Sequence, residues 1–285
     1  MKPESPTDLH ARVRAQYAET GGGAFYRRVM GGGGPAIHFG LYTTPATTMP
    51  DAVRASTAVL LEMADRHGLG RPRRVIDLGA GAGGSAHQVA AHTGARVTCV
   101  DLCAELLACN LRDAGSAGLA GRIETWRGSF DALPAGWTAT FDLAWSQDAL
   151  CHATDRAAAF REIRRVLEPA GLFVFSDVLR DEAATAGAIA TFTGVNAVDA
   201  LASPSETIDA LRAAGFLPLE TVDWSDHLRA NFAAMLAQIQ GHREEMIAEG
   251  VPAGRIDGFV RSLENRLAWS NGHVMRWAAF CCRAG

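Results

Sequence analysis

The chain has 285 residues, 48% of them hydrophobic and 20% charged, enough to bury one full α/β core and a modest further layer. A formal charge of -4 and a pI near 6.1, without any compact run of lysine and arginine, exclude the electrostatic footprint of a nucleic-acid binder or a polybasic membrane anchor. No run of about eighteen apolar residues could span a bilayer and Met1-Lys2-Pro3-Glu4-Ser5-Pro6 has no signal-peptide core, so the expectation is a cytoplasmic protein acting on a small molecule, with no nucleic-acid or membrane partner.

Thr7 to Thr20 combines mixed polarity with helix formers. Two glycine clusters, Gly21-Gly22-Gly23 and Gly31-Gly32-Gly33-Gly34, then flank Ala24 to Met30. So much glycine costs conformational entropy on ordering, which predicts a mobile cover over residues 1–50 rather than a core element. Asp51 to His67 reads as a helix, capped by Gly68 and stopped near Pro72.

From there strands and helices alternate. Arg74 to Leu78 is a buried strand running into the turn Gly79-Ala80-Gly81-Ala82-Gly83-Gly84, followed by a helix from Ser85 to His92 and a strand from Arg96 to Asp101. A helix from Ala104 to Ala114, strands near Ile123 to Arg127 and Phe141 to Ser146, a helix from Asp155 to Leu167 and the apolar strand Leu172 to Phe175 continue the pattern. Such alternation predicts a parallel sheet with helices on both faces, with ligands at the carboxyl ends of its strands. The core is expected over 51–180. Residues 181–285 are expected to supply an alanine-rich helix (Asp181 to Ala202), a helix from Ser205 to Ala214 behind Ser203-Pro204, and a strand from Phe216 to Val222. Two more helices between Asp226 and Asn271, broken near Gly250-Val251-Pro252, and a last strand from His273 to Cys282 complete them as a helical cap and closing strands. That cap is either the second wall of a pocket or an oligomer surface, so a homodimer stays open.

The six cysteines have neither C-x-x-C pairing nor zinc spacing, so reduced, mostly buried thiols and no metal site are expected. A carboxylate-bound magnesium would leave little trace in sequence.

Gly79, Gly81 and Gly84 satisfy G-x-G-x-x-G, a spacing that admits a nicotinamide dinucleotide as readily as another adenosine cofactor. Asp77 separates the two. A pyrophosphate over this turn would sit near an added carboxylate, whereas S-adenosylmethionine brings an ammonium and a sulfonium that a carboxylate stabilises. Asp101 follows at the distance of a carboxylate that grips ribose hydroxyls, and it is also placed to cap the helix after Cys103.

With these stretches, Gly128-Ser129-Phe130-Asp131-Ala132-Leu133-Pro134, Trp145-Ser146-Gln147-Asp148-Ala149-Leu150-Cys151-His152 and Arg164-Arg165-Val166-Leu167-Glu168-Pro169-Ala170-Gly171, nearly the whole chain resembles a class I S-adenosylmethionine-dependent methyltransferase. It is most similar to the sarcosine/dimethylglycine N-methyltransferase group, and more weakly to phosphoethanolamine and natural-product sugar O-methyltransferases. The resemblance implies a Rossmann-like, seven-stranded, mostly parallel sheet with a helical lid or insertion. It implies that Asp77, Gly79 and Gly81 receive the methionyl end, Asp101 and Leu102 the ribose, and Gly128, Ser129 and Phe130 the adenine, with Ser146 and Gln147 nearby. Phe130 as plain core packing is the competing reading.

The lid of that group is matched by Tyr17 and Ile37-His38-Phe39-Gly40-Leu41-Tyr42. Where its members carry a tryptophan, two glycines and Glu-Asp ahead of Ile-His, this chain has Gly32, Gly33-Gly34 and Pro35-Ala36. Loss of an aromatic ring and two acids removes groups suited to a small cationic amine, and a larger or less charged acceptor is expected.

Methyl transfer from a sulfonium is an in-line displacement, so alignment supplies most of the catalysis and proton management the rest. His152 lies just beyond the strand Phe141 to Ser146 with the pKa range of a general base, and a backbone-bonded histidine at a helix start is its alternative. Asp177, on the rim of the adjacent strand, is the candidate partner for His152 or holder of a substrate hydroxyl, or else an N-cap or a loop salt bridge. The resemblance implies that Tyr17 latches onto His152, while His38 and Tyr42 join His152 and Asp177 as acceptor contacts. Asp148 reads as a loop-ordering residue, and Trp269 and Trp277 as packing. The expected activity is methylation of a small-molecule acceptor at an amine nitrogen, with oxygen or carbon methylation next, then a nicotinamide-dependent reductase or a non-catalytic cofactor-binding subunit.

Overall fold

The computed structural model describes residues 6–17, 22–268 and 274–285, and among these residues there are seven strands and ten α-helices. Trp269 and His273 lie outside the described residues. Helices α1 (Pro6–Tyr17) and α2 (Gly22–Gly31) precede α3 (Met49–Arg66), which Thr48 starts by accepting the Asp51 N–H. The alternating core then runs β1 (Arg74–Leu78), α4 (Gly84–Thr93), β2 (Arg96–Asp101), α5 (Ala104–Ser116), β3 (Ile123–Arg127), β4 (Phe141–Gln147), α6 (Arg156–Val166) and β5 (Leu167–Arg180). The remainder is α7 (Ala190–Thr193), α8 (Pro204–Ala213), β6 (Phe216–Asp223), α9 (Leu228–Ala248), α10 (Ala253–Ala268) and β7 (Met275–Ala284).

The strands form one sheet in the order β3-β2-β1-β4-β5-β7-β6. β1 to β5 run parallel, and β7 enters antiparallel between β5 and β6. Successive residues of each strand serve opposite faces, so two hydrophobic layers result. Val75, Val97, Leu143, Val174 and Cys281 join one layer under α2, α3, α9 and α10. Ile76, Val100, Ala144, Phe173 and Phe280 join the other under α6 and α8, where Phe173 and Phe175 stack at 4.5 Å.

Two expectations are corrected. Ala24 to Met30 belongs to α2 and is core, not loose cover: Phe25, Tyr26 and Val29 are buried against α9 and α10, because the glycines limit only the ends of an amphipathic helix. Asp181 to Ala202 is mostly turns, with helix confined to Ala190–Thr193. Asp181 and Thr185 accept the N–H groups of Ala183 and Ala188, local bonds that compete with helix propagation, and Ile189 and Phe192 gain burial in the layer that α10 also covers. The six cysteines are all free. Among the described residues no cluster of metal-ligating side chains occurs, and no helix is long and apolar enough to cross a membrane.

Candidate active site

From β1 the chain crosses to β2 on one side, whereas β4 is followed by β5 on the other, so a crevice opens at the carboxyl ends of β1 and β4. A cavity of about 650 Å³ fills it. Its floor is the glycine turn. Gly79 has φ of 76°, and a Cβ there would come within 2.3 Å of the Ala149 Cβ. Gly81 donates its N–H to Asp101 Oδ2 at 2.8 Å while Cys103 donates to Oδ1 at 2.8 Å, so one carboxylate ties the turn after β1 to the start of α5. Leu102, Gly128, Ser129 and Phe130 line the same cavity. A Cβ on Gly128 would lie 2.1 Å from the Trp126 ring, which accounts for glycine at that bend.

A smaller cavity of about 290 Å³ adjoins the turn and is lined by Asp77, His38 and Gln147 among others. Asp77 is buried, its Oδ2 has no partner, and burial followed by the nearby charge of Asp101 pushes its pKa up to about 8. One buried and one half-buried acid, with one oxygen uncompensated, fit a ligand that brings positive charge to this turn, and a pyrophosphate would add charge of the wrong sign. His38 faces this cavity rather than an acceptor. Its Nδ1 lies 3.0 Å from the Phe39 carbonyl, its Nε2 is buried without a partner, and burial lowers its pKa to about 4. Gln147 accepts from Thr57 Oγ1 at 2.9 Å. Ser146 is a correction: fully buried, it donates to the Leu78 carbonyl at 2.8 Å and lines neither cavity, since strand alternation turns it into the sheet.

Beyond the large cavity lies a second of about 460 Å³. Tyr17, Ile37, Asp148 and His152 line both, so they form the wall between them. The Tyr17 hydroxyl is 3.2 Å from His152 Nε2, and His152 Nδ1 is 2.7 Å from the Ala197 carbonyl. A carbonyl only accepts, so Nδ1 carries the ring proton and Nε2 accepts from Tyr17. Burial lowers the His152 pKa, against the opposing effects of the Ala197 carbonyl and Asp177, and burial raises that of Tyr17 well above its ordinary value. The resting pair is therefore neutral.

Asp177 does not bond His152. Its Oδ1 accepts the Cys151 N–H at 3.1 Å and its Oδ2 pairs with Arg156 at 2.6 Å beneath the turn Leu150–His152. Fully buried, it lines neither cavity and supports that turn. Tyr42 is likewise outside both cavities; its N–H donates to His227 Nδ1 at 3.2 Å and burial raises its phenol to about 12. Asp148, with φ of 53°, accepts from the Phe39 N–H, Ser176 Oγ and Trp277 Nε1 at 2.8, 2.7 and 2.8 Å, which fixes the lid segment to β5 and β7.

Several lining residues were not foreseen. His10 and Val13 on α1 face the large cavity, with His10 3.5 Å from Asp131. Phe192, Asn196, Phe259 and Arg266 face the second cavity. Arg266 had a readable signal: with Ile256, Phe259 and Leu263 it completes the buried stripe of α10, a charge where helical periodicity calls for an apolar residue.

A sheet of this order, with an acid-lined cleft over a glycine turn at its switch point, defines a Rossmann-like enzyme of an adenosine cofactor. Residues 76–175 match the family model of a methyltransferase domain. A glycine/sarcosine/dimethylglycine N-methyltransferase of Actinopolyspora halophila is 32% identical over 91% of this chain, which spans 45% of that protein. An O-methyltransferase of Aspergillus sclerotiorum is 30% identical over 68% of this chain and 73% of its own length. A solved structure from Galdieria sulphuraria, a candidate sarcosine dimethylglycine methyltransferase, superposes with a TM-score of 0.86 at 25% identity, covering 94% of this chain and 98% of its own. The chain belongs to the S-adenosylmethionine-dependent methyltransferases, and its cofactor is S-adenosylmethionine.

Proposed function

We propose that this enzyme methylates the nitrogen of a small-molecule amine, with the Tyr17–His152 pair handling the proton. The observation that carries this reading is the position of the pair, on the wall common to the cofactor cavity and the second cavity. The second cavity is then the acceptor site.

Bound S-adenosylmethionine supplies an electrophilic methyl group whose in-line displacement leaves the bonding electron pair on sulfur. In the resting cofactor site, Asp77, Gly79 and Gly81 would face the charged methionyl end, Asp101 and Leu102 the ribose, and Gly128 to Phe130 the adenine. Tyr17 and Ile37 close the cavity between cofactor and acceptor. As the new N–C bond forms, the nitrogen's proton passes to the Tyr17 oxygen while the tyrosine's own proton moves to His152 Nε2. The imidazolium so formed keeps its bond to Ala197 and gains from the charge of Asp177. Asp177 acts through the turn it holds and through its field.

Transfer to a hydroxyl oxygen is the second reading, favoured by the same base and by the Aspergillus O-methyltransferase. Incubation of the pure protein with labelled S-adenosylmethionine and paired amines and alcohols decides between them by mass spectrometry of the products. Label in alcohols alone would overturn the amine reading. The partner implied is a small molecule; the charge of -4 argues for no nucleic acid, and the cap leaves a homodimer to be tested by sedimentation.

A further inference from the structure

Arg266 is 3% exposed, lines the second cavity, and sits between aromatic rings: its guanidinium carbon is 4.7 Å from the Phe192 centroid, 5.4 Å from Phe232 and 5.7 Å from Phe259. Ring faces hold a guanidinium by its flat sides and leave its edge N–H groups for other partners. One is used, Nη2 to Ser262 Oγ at 2.9 Å. Nε has no partner, and among the described residues no carboxylate pairs with the group. The Tyr26 phenol lies near it, and burial keeps that phenol protonated. A buried, unpaired cation costs several kcal/mol, so an apolar side chain of similar size would serve packing better.

Met30, Phe39, Val178 and Met235 give this cavity an apolar side, facing the polar groups of Tyr17, Asp148, His152 and Asn196. A small zwitterion would leave that surface without contacts. Outside, a groove of about 980 Å³ shares Tyr26, Asn196 and Phe259 with the cavity and carries Arg255, whose guanidinium lies over the Phe25 and Tyr26 rings. A second cation at this mouth steers anions inward.

We infer that the acceptor carries a carboxylate, which Arg266 receives, on an apolar or aromatic body that fills the cavity around Met30 and Met235. The inference rests on the second cavity being the acceptor site. It makes Arg266 a substrate-binding residue and sets the acceptor apart from the smallest amino acids.

Calorimetric titration of the protein saturated with S-adenosylhomocysteine tests it with three probes. N-methylphenylalanine has both carboxylate and ring, sarcosine lacks the ring, and N-methylphenethylamine lacks the carboxylate. The first is expected to bind at least about tenfold more tightly than either other. Arg266→Gln should remove the advantage over N-methylphenethylamine, and Arg266→Lys should restore part of it. Equal affinity for N-methylphenethylamine overturns the carboxylate site, and equal affinity for sarcosine overturns the apolar body, both on the wild-type protein alone. The same probes are then incubated with S-adenosylmethionine in place of S-adenosylhomocysteine: binding in the expected order without methylated product refutes N-methylation while upholding the site, and methylation of all three at equal affinity does the reverse.

Discussion

The hydroxyl of Tyr17 meets Nε2 of His152 at 3.2 Å with the two rings edge to face at 5.7 Å, although 135 residues separate them in sequence. The contact joins α1 to the turn after β4, so the pair exists only with α1 seated over that turn.

Removal of either member should therefore slow turnover without emptying the cofactor site. His152→Ala should lower kcat at least about tenfold, and Tyr17→Phe, which keeps the ring, by a similar factor, with the Kd for S-adenosylhomocysteine within about twofold of wild type. Because burial lowers the His152 pKa, the neutral base persists below the ordinary histidine value near 6.5, and the acid limb of kcat should fall below about pH 6.5. Equal loss of cofactor affinity and kcat in His152→Ala would take the residue out of catalysis.

His38 makes a stability prediction. Its pKa of about 4 lies below that of an unfolded histidine, so between pH 4 and about 6.5 the unfolded chain binds a proton that the folded chain refuses. Stability rises with pH across that window and is lost as pH falls through it, by roughly 3 kcal/mol at most. Urea midpoints from pH 7 to 4.5 should decline less steeply in His38→Gln than in wild type. Parallel declines would show that His38 is not the group responsible.

How much of this was legible in sequence follows from the range of each interaction. The β1 strand, its glycine turn and Asp101 are local, and the alternation of apolar runs with helical segments set the sheet, so the sheet and the cleft over its glycine turn could be read directly. Asp177 was misjudged because its place in the strand cannot reveal Arg156, which reaches it from the preceding helix α6 and claims its second oxygen. Ala197, which fixes the tautomer of His152, contributes only a backbone carbonyl, and no side-chain pattern marks it. The alanine-rich stretch misled because propensity is a weak prior against tertiary burial of Ile189 and Phe192.

Asp77 opposes its own protein in the absence of ligand. With a folded pKa of about 8 against about 3.9 unfolded, the folded chain holds a proton the unfolded chain has released, so stability falls as pH rises from about 4 to 8. Asp77→Asn should raise the urea midpoint of the ligand-free protein at pH 8.5. If Asp77 meets the cofactor's ammonium as proposed, the variant should also weaken S-adenosylhomocysteine binding at least about tenfold. A more stable variant with unchanged affinity would place the cofactor's charge elsewhere.

Gly79 and Ala149 test the packing of the turn against the loop that bears His152. Gly79→Ala puts a Cβ 2.3 Å from that of Ala149 and forces an L side chain to hold φ of 76°. The overlap and the left-handed strain are separable. Ala149→Gly in the same chain removes the overlapping carbon and leaves only the strain, about 1 to 2 kcal/mol. Gly79→Ala alone should lower both Tm and cofactor affinity, and the double variant should recover most of the affinity but not all of the Tm. A double variant no better than Gly79→Ala would mean that backbone conformation, rather than contact with Ala149, requires glycine at this position.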